Sequence, residues 1–245
     1  MWVVLLVIAF SMGGVWPAVV LAADETGNAY TALTAGFREG DFGTSVNNEL
    51  YTLQQEFGYV SDSFDFSASI PFHNFPVSGG GLSSSESGIG DAVLRGGRRL
   101  WRDKQSKFSI TGALKIKLAT GDENKGLGTG ATDIGMSVSG TRRIGAYGYT
   151  VLAGYTQVGG PTGVTYDNVV SYGIGANRSF TRTNVFASLL GQTSALQGGT
   201  APLEFDVGFF RMLSLDYVVI AHAFIGLSDG SPNDGMGIGF VRWLR

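Results

Sequence analysis

The 245-residue chain has no cysteine and only two histidines. Without cysteine there is no disulfide framework and no thiol chemistry. His73 and His222 are the only imidazoles, so a transition-metal site of nitrogen and sulfur ligands lacks the donors it needs. Beyond the N-terminus no apolar run reaches the roughly 20 residues that a spanning helix requires. Seventeen basic and twenty acidic residues give a formal charge of −3, and the bases are scattered, so nothing argues for a nucleic-acid partner.

Glycine, in contrast, is abundant. The 38 glycines are about twice the usual level of roughly 7% and follow no collagen period, which suits tight turns and closely approaching strands. Residues 2–10 are apolar, and Val-Val-Leu-Ala-Ala-Asp over 19–24 has the small residues of a cleavage site. This reads as a secretory signal over 1–23, cut after Ala22 or Ala23 and leaving 24–245 as the mature domain. No Lys or Arg precedes the apolar core, which departs from the usual signal and leaves a membrane anchor as the alternative.

From Tyr30 onward, segments of about ten residues alternate apolar and polar. In 108–118, Phe108, Ile110, Leu114, Ile116 and Leu118 fall on one face, and Ser109, Thr111, Ala113, Lys115 and Lys117 on the other. A period of two is that of a strand. About twelve strands are expected, near 30–39, 45–57, 62–72, 89–101, 107–119, 132–144, 147–158, 167–180, 184–193, 203–213, 216–228 and 235–244. Their links alternate in length. Short ones are 58–61, 102–106, 145–146, 181–183 and 214–215; long ones are 73–88, 120–131, 159–166, 194–202 and 229–234, with a modest first link at 40–44. Exported strands of this kind, with no retained helix, predict an all-β, antiparallel, up-and-down transmembrane barrel. It would lie in the outer membrane of a Gram-negative bacterium, with long links outside and short ones in the periplasm.

In such a barrel the apolar rows face lipid. Ile134, Met136 and Val138 fall there, as do Val170, Tyr172 and Ile174, then Phe205, Val207 and Phe209. Trp101, Tyr147, Tyr149 and Trp243 lie near strand ends, where aromatic girdles sit. The polar rows gather Asp91, Arg95, Arg99, Lys115, Lys117, Asp133, Arg143, Glu204, Asp206 and His222 into the lumen as candidate transport residues. Arg95, Arg99, Lys115 and Lys117 make one wall mostly basic, with Glu204 and Asp206 several strands away. Opposed rows would create a transverse field acting on a solute; the same charges could instead bond across a narrow barrel and partly plug it. Arg142 and Arg178 fall on the outward register near the short-link end, where they can snorkel.

Gly88-Ile89-Gly90-Asp91-Ala92-Val93-Leu94, ending in Arg98-Arg99-Leu100, resembles a strand of the MetA-pathway phenol-degradation family of outer-membrane transporters. Lys117-Leu118-Ala119-Thr120-Gly121-Asp122, followed by Gly126-Leu127-Gly128-Thr129-Gly130 and Asp133, is similar to it too, as is the strand end Ile70-Pro71-Phe72. The resemblance implies an outer-membrane channel with an aromatic or otherwise hydrophobic cargo. Ala119 stands where the family has proline, and the end Phe240-Val241-Arg242-Trp243-Leu244-Arg245 lacks a terminal aromatic, an imperfect form of the usual assembly signal.

Other chemistry is weaker. His73 beside Asn74, with Ser78 and 83–85 nearby, allows a Ser-His pair, but no Gly-x-Ser-x-Gly pattern accompanies it. The segment 121–130 lacks the Gly-Lys-Ser/Thr ending of a phosphate loop. Asp122, Asn124 and Asp133, or Asp229, Asn233 and Asp234, offer oxygen ligands for Ca²⁺ without EF-hand spacing, and read as solvated loops. The expectation is a passive channel without catalysis or cofactor. Its partners would be membrane lipid and lipopolysaccharide, the barrel-assembly machinery and a small-molecule cargo. A non-conducting structural barrel is the alternative, and a lipid-modifying enzyme a third.

Overall fold

The computed structural model describes residues 5–6, 19–20, 27–40, 48–79, 82–160 and 166–244. Twelve antiparallel strands succeed one another around a closed ring. They are β1 (Asn28–Gly40), β2 (Asn48–Val60), β3 (Phe64–Gly79), β4 in two parts (Leu82–Ile89 and Val93–Asp103), β5 (Phe108–Lys117), β6 (Asp133–Ile144), β7 (Tyr147–Gln157), β8 (Val169–Ser179), β9 (Thr183–Gln192), β10 (Leu203–Met212), β11 (Tyr217–Gly226) and β12 (Asp234–Leu244). Each strand pairs with its sequence neighbours, and β12 pairs with β1 through Val241↔Ala32 and the partners on either side. Closure leaves no free edge, the condition for a sheet to cross a bilayer.

The rows on the two faces differ as the alternation requires. Outward Leu114, Met136, Val151, Ile174 and Ile238 are exposed, while Ser109, Thr111, Ser139, Thr150 and Asn177 on the inward rows are buried. A surface of large apolar groups around a polar interior is the inverse of a soluble barrel. The strands are 10–16 residues long, with β4 divided into parts of 8 and 11, enough for the roughly 9–11 residues of a membrane crossing.

Glycines on the inward rows make room for bulky neighbours. A Cβ at Gly208 would come within 2.7 Å of the Phe186 ring, and one at Gly235 within 2.5 Å of the Phe224 ring. Short turns are held locally: Asp103 accepts hydrogen bonds from the backbone N–H groups of Gln105 and Ser106, and Gly145 takes φ +61° between β6 and β7.

Several expectations need correction. The segment 73–88 is not a loose link: β3 and the first part of β4 continue as a hairpin through 72–79 and 82–89. The turn expected at 58–61 lies at 61–63, because β2 runs on to Val60. Trp243 does not join the outer girdle. It is on the inward row and packs edge-on against Tyr30, with ring centroids 5.6 Å apart. The expected leader, 1–23, lies outside the described residues except for an antiparallel pairing of Leu5–Leu6 with Val19–Val20. Among the described residues, no helix is long and apolar enough to cross a membrane.

The buried apolar cluster is also inside the barrel. Ala32, Phe186, Phe210, Val218, Ile220 and Val241 pack together near the short-turn end, against Tyr30, Leu190, Met212 and Trp243. The inner wall formed by β9 to β12 and β1 is therefore apolar at that end.

Candidate functional site: the barrel lumen

Polar side chains from β2 to β6 line the opposite wall, and Tyr30 of β1 joins them from the edge of the apolar cluster. On β1 and β2, Tyr30 donates from its hydroxyl to Glu56 Oε1 at 2.5 Å, and Gln55, on the outer face, bonds Thr31 Oγ1 at 2.7 Å. Arg95 on β4 forms a partly buried ion pair with Asp65 on β3. Arg99, further toward the short turns, pairs with Asp62 Oδ1 at 2.7 Å, and Arg102 reaches the same carboxylate at 2.8 Å. Partial burial pushes the Asp62 carboxyl up. The hydrogen bonds and charges of Arg99 and Arg102 outweigh this and hold it below the usual carboxylate range.

At the long-loop end a second cluster forms around the break in β4. Asp91 lies in that break and is buried, with Oδ1 accepting from the Gly121 N–H at 3.0 Å and Oδ2 from the Thr129 N–H at 3.1 Å. Thr120 Oγ1 donates to Gly90 O at 2.9 Å and accepts from the Ala92 N–H at 2.8 Å. These bonds draw the 118–132 loop over the mouth. A 3₁₀ turn, Glu123–Lys125, shapes it, and Leu127 is tucked inside. Lys117 Nζ sits between Asp133 at 3.0 Å and Asp91 at 3.4 Å, and also contacts Thr129 Oγ1. Asp133 in turn accepts from the Gly159 N–H at 2.9 Å.

A cavity of about 410 Å³ opens beside this cluster. Lys115, Lys117, Asp91, Asp133 and His73 supply its polar lining; Leu50, Pro71, Phe75, Leu127, Val158 and Val169 supply its apolar lining. Cavities of roughly 150 Å³ already hold a benzene ring, so this one has room for a single-ring solute bearing substituents. A second, separate space of about 40 Å³, which suits water rather than a ring, lies against Arg95, Lys115, Ser137, Leu152 and Ser171.

A third group lies on β10 and β11. His222 Nδ1 is 2.9 Å from Asp206 Oδ2. Glu204 pairs at 3.7 Å with Arg38, three strands away on β1, and that guanidinium lies over the Phe224 ring at 4.6 Å.

The ten residues read as lumen candidates thus fall into three groups and one outlier. Asp91, Lys115, Lys117 and Asp133 stand at the wide mouth, Arg95 and Arg99 further down the same wall, and Glu204, Asp206 and His222 on the other side. Arg143 is half-buried on the inward row of β6, away from the mouth, where its backbone N–H bonds Lys107 O at 3.1 Å. The wall that the sequence makes mostly basic carries carboxylates between its bases, Asp65 and Asp62 among them. Those two, with Arg38, Glu56 and Leu127, are not singled out by the sequence. Arg38 and Glu56 do occupy the inward alternation of β1 and β2, the one signal that could have found them.

The other constellations disperse. His73 is buried and pairs through Nδ1 with Thr52 Oγ1 at 2.9 Å, not with a serine. The Asp122 carboxylate accepts from the Asn124 N–H at 3.0 Å. Among the described residues no group of three or more His, Asp or Glu side chains could hold a metal ion.

Comparison with curated protein sequences finds no match. Solved structures with the same architecture include the KdgM porin in complex with a disordered oligogalacturonate, with a TM-score of 0.55 and 6% identity over 87% of this chain and 99% of that one. The β domain of the Bordetella autotransporter BrkA matches with a TM-score of 0.52 and 11% identity, over 89% of this chain and 99% of that one. The translocator domain of the autotransporter NalP from Neisseria meningitidis gives 0.51 and 13%, over 90% of each chain. At such identities the likeness is one of fold, that of an outer-membrane β-barrel. The family model for the MetA-pathway of phenol degradation matches residues 22–240, and the chain belongs to that family.

Proposed function

We propose that the protein is a passive channel of the outer membrane for small amphipathic molecules, including those with a single aromatic ring. The observation that carries this reading is the mixed lining of the 410 Å³ cavity at the wide mouth. Lys115 and Lys117 can meet an anionic or hydroxyl group there, while Phe75, Leu127 and Val169 meet a ring. Few directed polar groups on an apolar wall is the usual composition of a small-molecule site. Family membership and the porin-like fold support the reading, with the long loops outside the cell and the short turns in the periplasm.

The ten lumen residues take their roles from this. The mouth cluster selects, Arg95 and Arg99 line the wall below it, and the Arg38–Glu204 and His222–Asp206 pairs shape the far wall. Planar-bilayer conductance and benzoate uptake by liposomes carrying the pure protein test it. Current and uptake above protein-free controls are expected; their absence overturns the channel.

One observation favours a second reading, a non-conducting structural barrel. The apolar cluster around Phe210 and Val218 packs inside the barrel near the short turns, where it takes up lumen space. The conductance measurement separates the two. Catalysis is not part of the proposal, and a His73→Ala variant that alters outer-membrane lipids would contradict that.

A further inference from the structure

The outward rows of the barrel carry a regular belt of arginines. On the five strands from β4 to β12 that run toward the short turns, the same pattern recurs: Arg98-Arg99-Leu100 on β4, Arg142-Arg143-Ile144 on β6, Arg178-Ser179-Phe180 on β8, Arg211-Met212-Leu213 on β10 and Arg242-Trp243-Leu244 on β12. The first residue of each triplet is exposed and lies on the outward row. The third is an exposed large apolar side chain, one outward step nearer the turn.

No other Arg or Lys stands on the outward rows of the described strands. The opposite rim carries acid instead: Asp234, Glu39 and Glu49 are register partners across β12, β1 and β2. Among the described residues none of the five arginines is held by an ion pair. Two lie against aromatic faces, Arg178 at 5.5 Å from Tyr147 and 4.9 Å from Phe180, and Arg242 at 5.9 Å from Tyr217.

We propose that this belt binds the headgroup phosphates of anionic glycerophospholipids, phosphatidylglycerol or cardiolipin, in the leaflet at the short-turn end. The apolar residue beyond each arginine still seeks hydrocarbon, so the guanidinium is held at the level of the ester and phosphate groups rather than in bulk water. A cation at that depth needs a counter-charge, and a lipid phosphate offers two oxygens to the planar guanidinium fork. Alternate strands place the arginines about 10 Å apart around the wall. Outward side chains of the intervening strands, Tyr147, Tyr149, Val185, Val219 and Tyr217, lie between them to receive the acyl chains.

The inference rests on the membrane-spanning fold and not on conduction, so a barrel that passes no current would leave it intact. Its test uses the full chain in phosphatidylcholine vesicles with spin-labelled phosphatidylglycerol or spin-labelled phosphatidylcholine. The motionally restricted fraction should favour phosphatidylglycerol by about fivefold, the ratio expected for one basic group near an anionic surface. Replacing all five arginines by glutamine should bring that ratio to about one, while lysine at all five should keep most of it. The paired variants Arg142→Gln/Arg178→Gln and Arg211→Gln/Arg242→Gln, each heat-modifiable on gels and hence folded, should each lose part of it. A ratio near one for the unaltered protein, or an undiminished ratio in folded glutamine variants, overturns the proposal. So does lipopolysaccharide displacing the label more effectively than unlabelled phosphatidylglycerol does.

Discussion

Asp62 holds two guanidiniums at once, from a turn of three residues. Arg99 and Arg102, from β4, both converge on its Oδ1, and Arg99 also reaches its backbone carbonyl. The pair ties the β2–β3 turn to the next strand, at a place where the side chain of Asp62 is about half exposed (52%). Water screens such a pair, so its contribution is small. Its sign is fixed all the same. A carboxyl held below its unfolded value stabilises the fold above the ordinary range near pH 4, and the contribution is lost as pH falls through the depressed value. Asp62→Asn should therefore lower the temperature of heat modification in detergent at neutral pH by a few degrees at most. The difference from the parent should close as the pH drops below about 4. A difference that persists unchanged in acid would mean that Asp62 acts by shape rather than charge.

The elements are largely legible in the sequence because alternation marks a strand wherever its two faces meet different media. Ser109 to Lys117 sets polar against apolar at nearly every step, and the ends of β5 can be read to within a residue or two. The hairpin of β3 and β4 beyond the barrel escapes such a reading. Its tip, rich in serine and glycine, gives no apolar row. On β11 the signal is weaker, because Val218, Ile220 and Phe224 are apolar and inward while Val219, Ala221 and Ala223 are apolar and outward; His222 alone marks the inward row, and it marks it correctly. Ion pairs such as Arg38–Glu204 span strands that are not neighbours, and sequence offers no register across the lumen.

The break in β4 is visible in the sequence only as a Gly-Asp motif, yet it organises the mouth. Asp91 there receives two backbone N–H groups of the 118–132 loop, each worth about 1.5–3 kcal/mol as a hydrogen bond to a charged group. Asp91→Ala should release that loop without unfolding the barrel. Trypsin cleavage after exposed Lys125 should quicken by about tenfold or more, as expected when local opening becomes easier by a kcal/mol or two. Cleavage at the parent rate would show that Leu127 and the Thr120 bonds to Gly90 and Ala92 hold the loop without it.

At the scale of the whole molecule, everything depends on which side of the sheet meets lipid. Leu114 and Lys115 are adjacent in sequence but lie on opposite faces: Leu114 is 62% exposed on the outer wall, and Lys115 lines the cavity at the mouth. A lysine on the outer wall near the bilayer midplane costs about 2–4 kcal/mol, whereas one in the lumen keeps water and partners. Leu114→Lys should therefore cut the yield of heat-modifiable barrel in refolding. Lys115→Glu with Lys117→Glu should assemble normally, because charge inside the barrel is already mixed. In the second variant the carboxylate introduced at position 117 would stand beside Asp91 and Asp133, from which the Lys117 ammonium now lies 3.4 and 3.0 Å away. With the one introduced at position 115 this makes four carboxylates at the mouth, which attract cations and repel anions, so the reversal potential across a salt gradient should move toward cation selectivity. Normal assembly of Leu114→Lys together with failure of the double glutamate variant would reverse the two faces, and with them the assignment of the lumen.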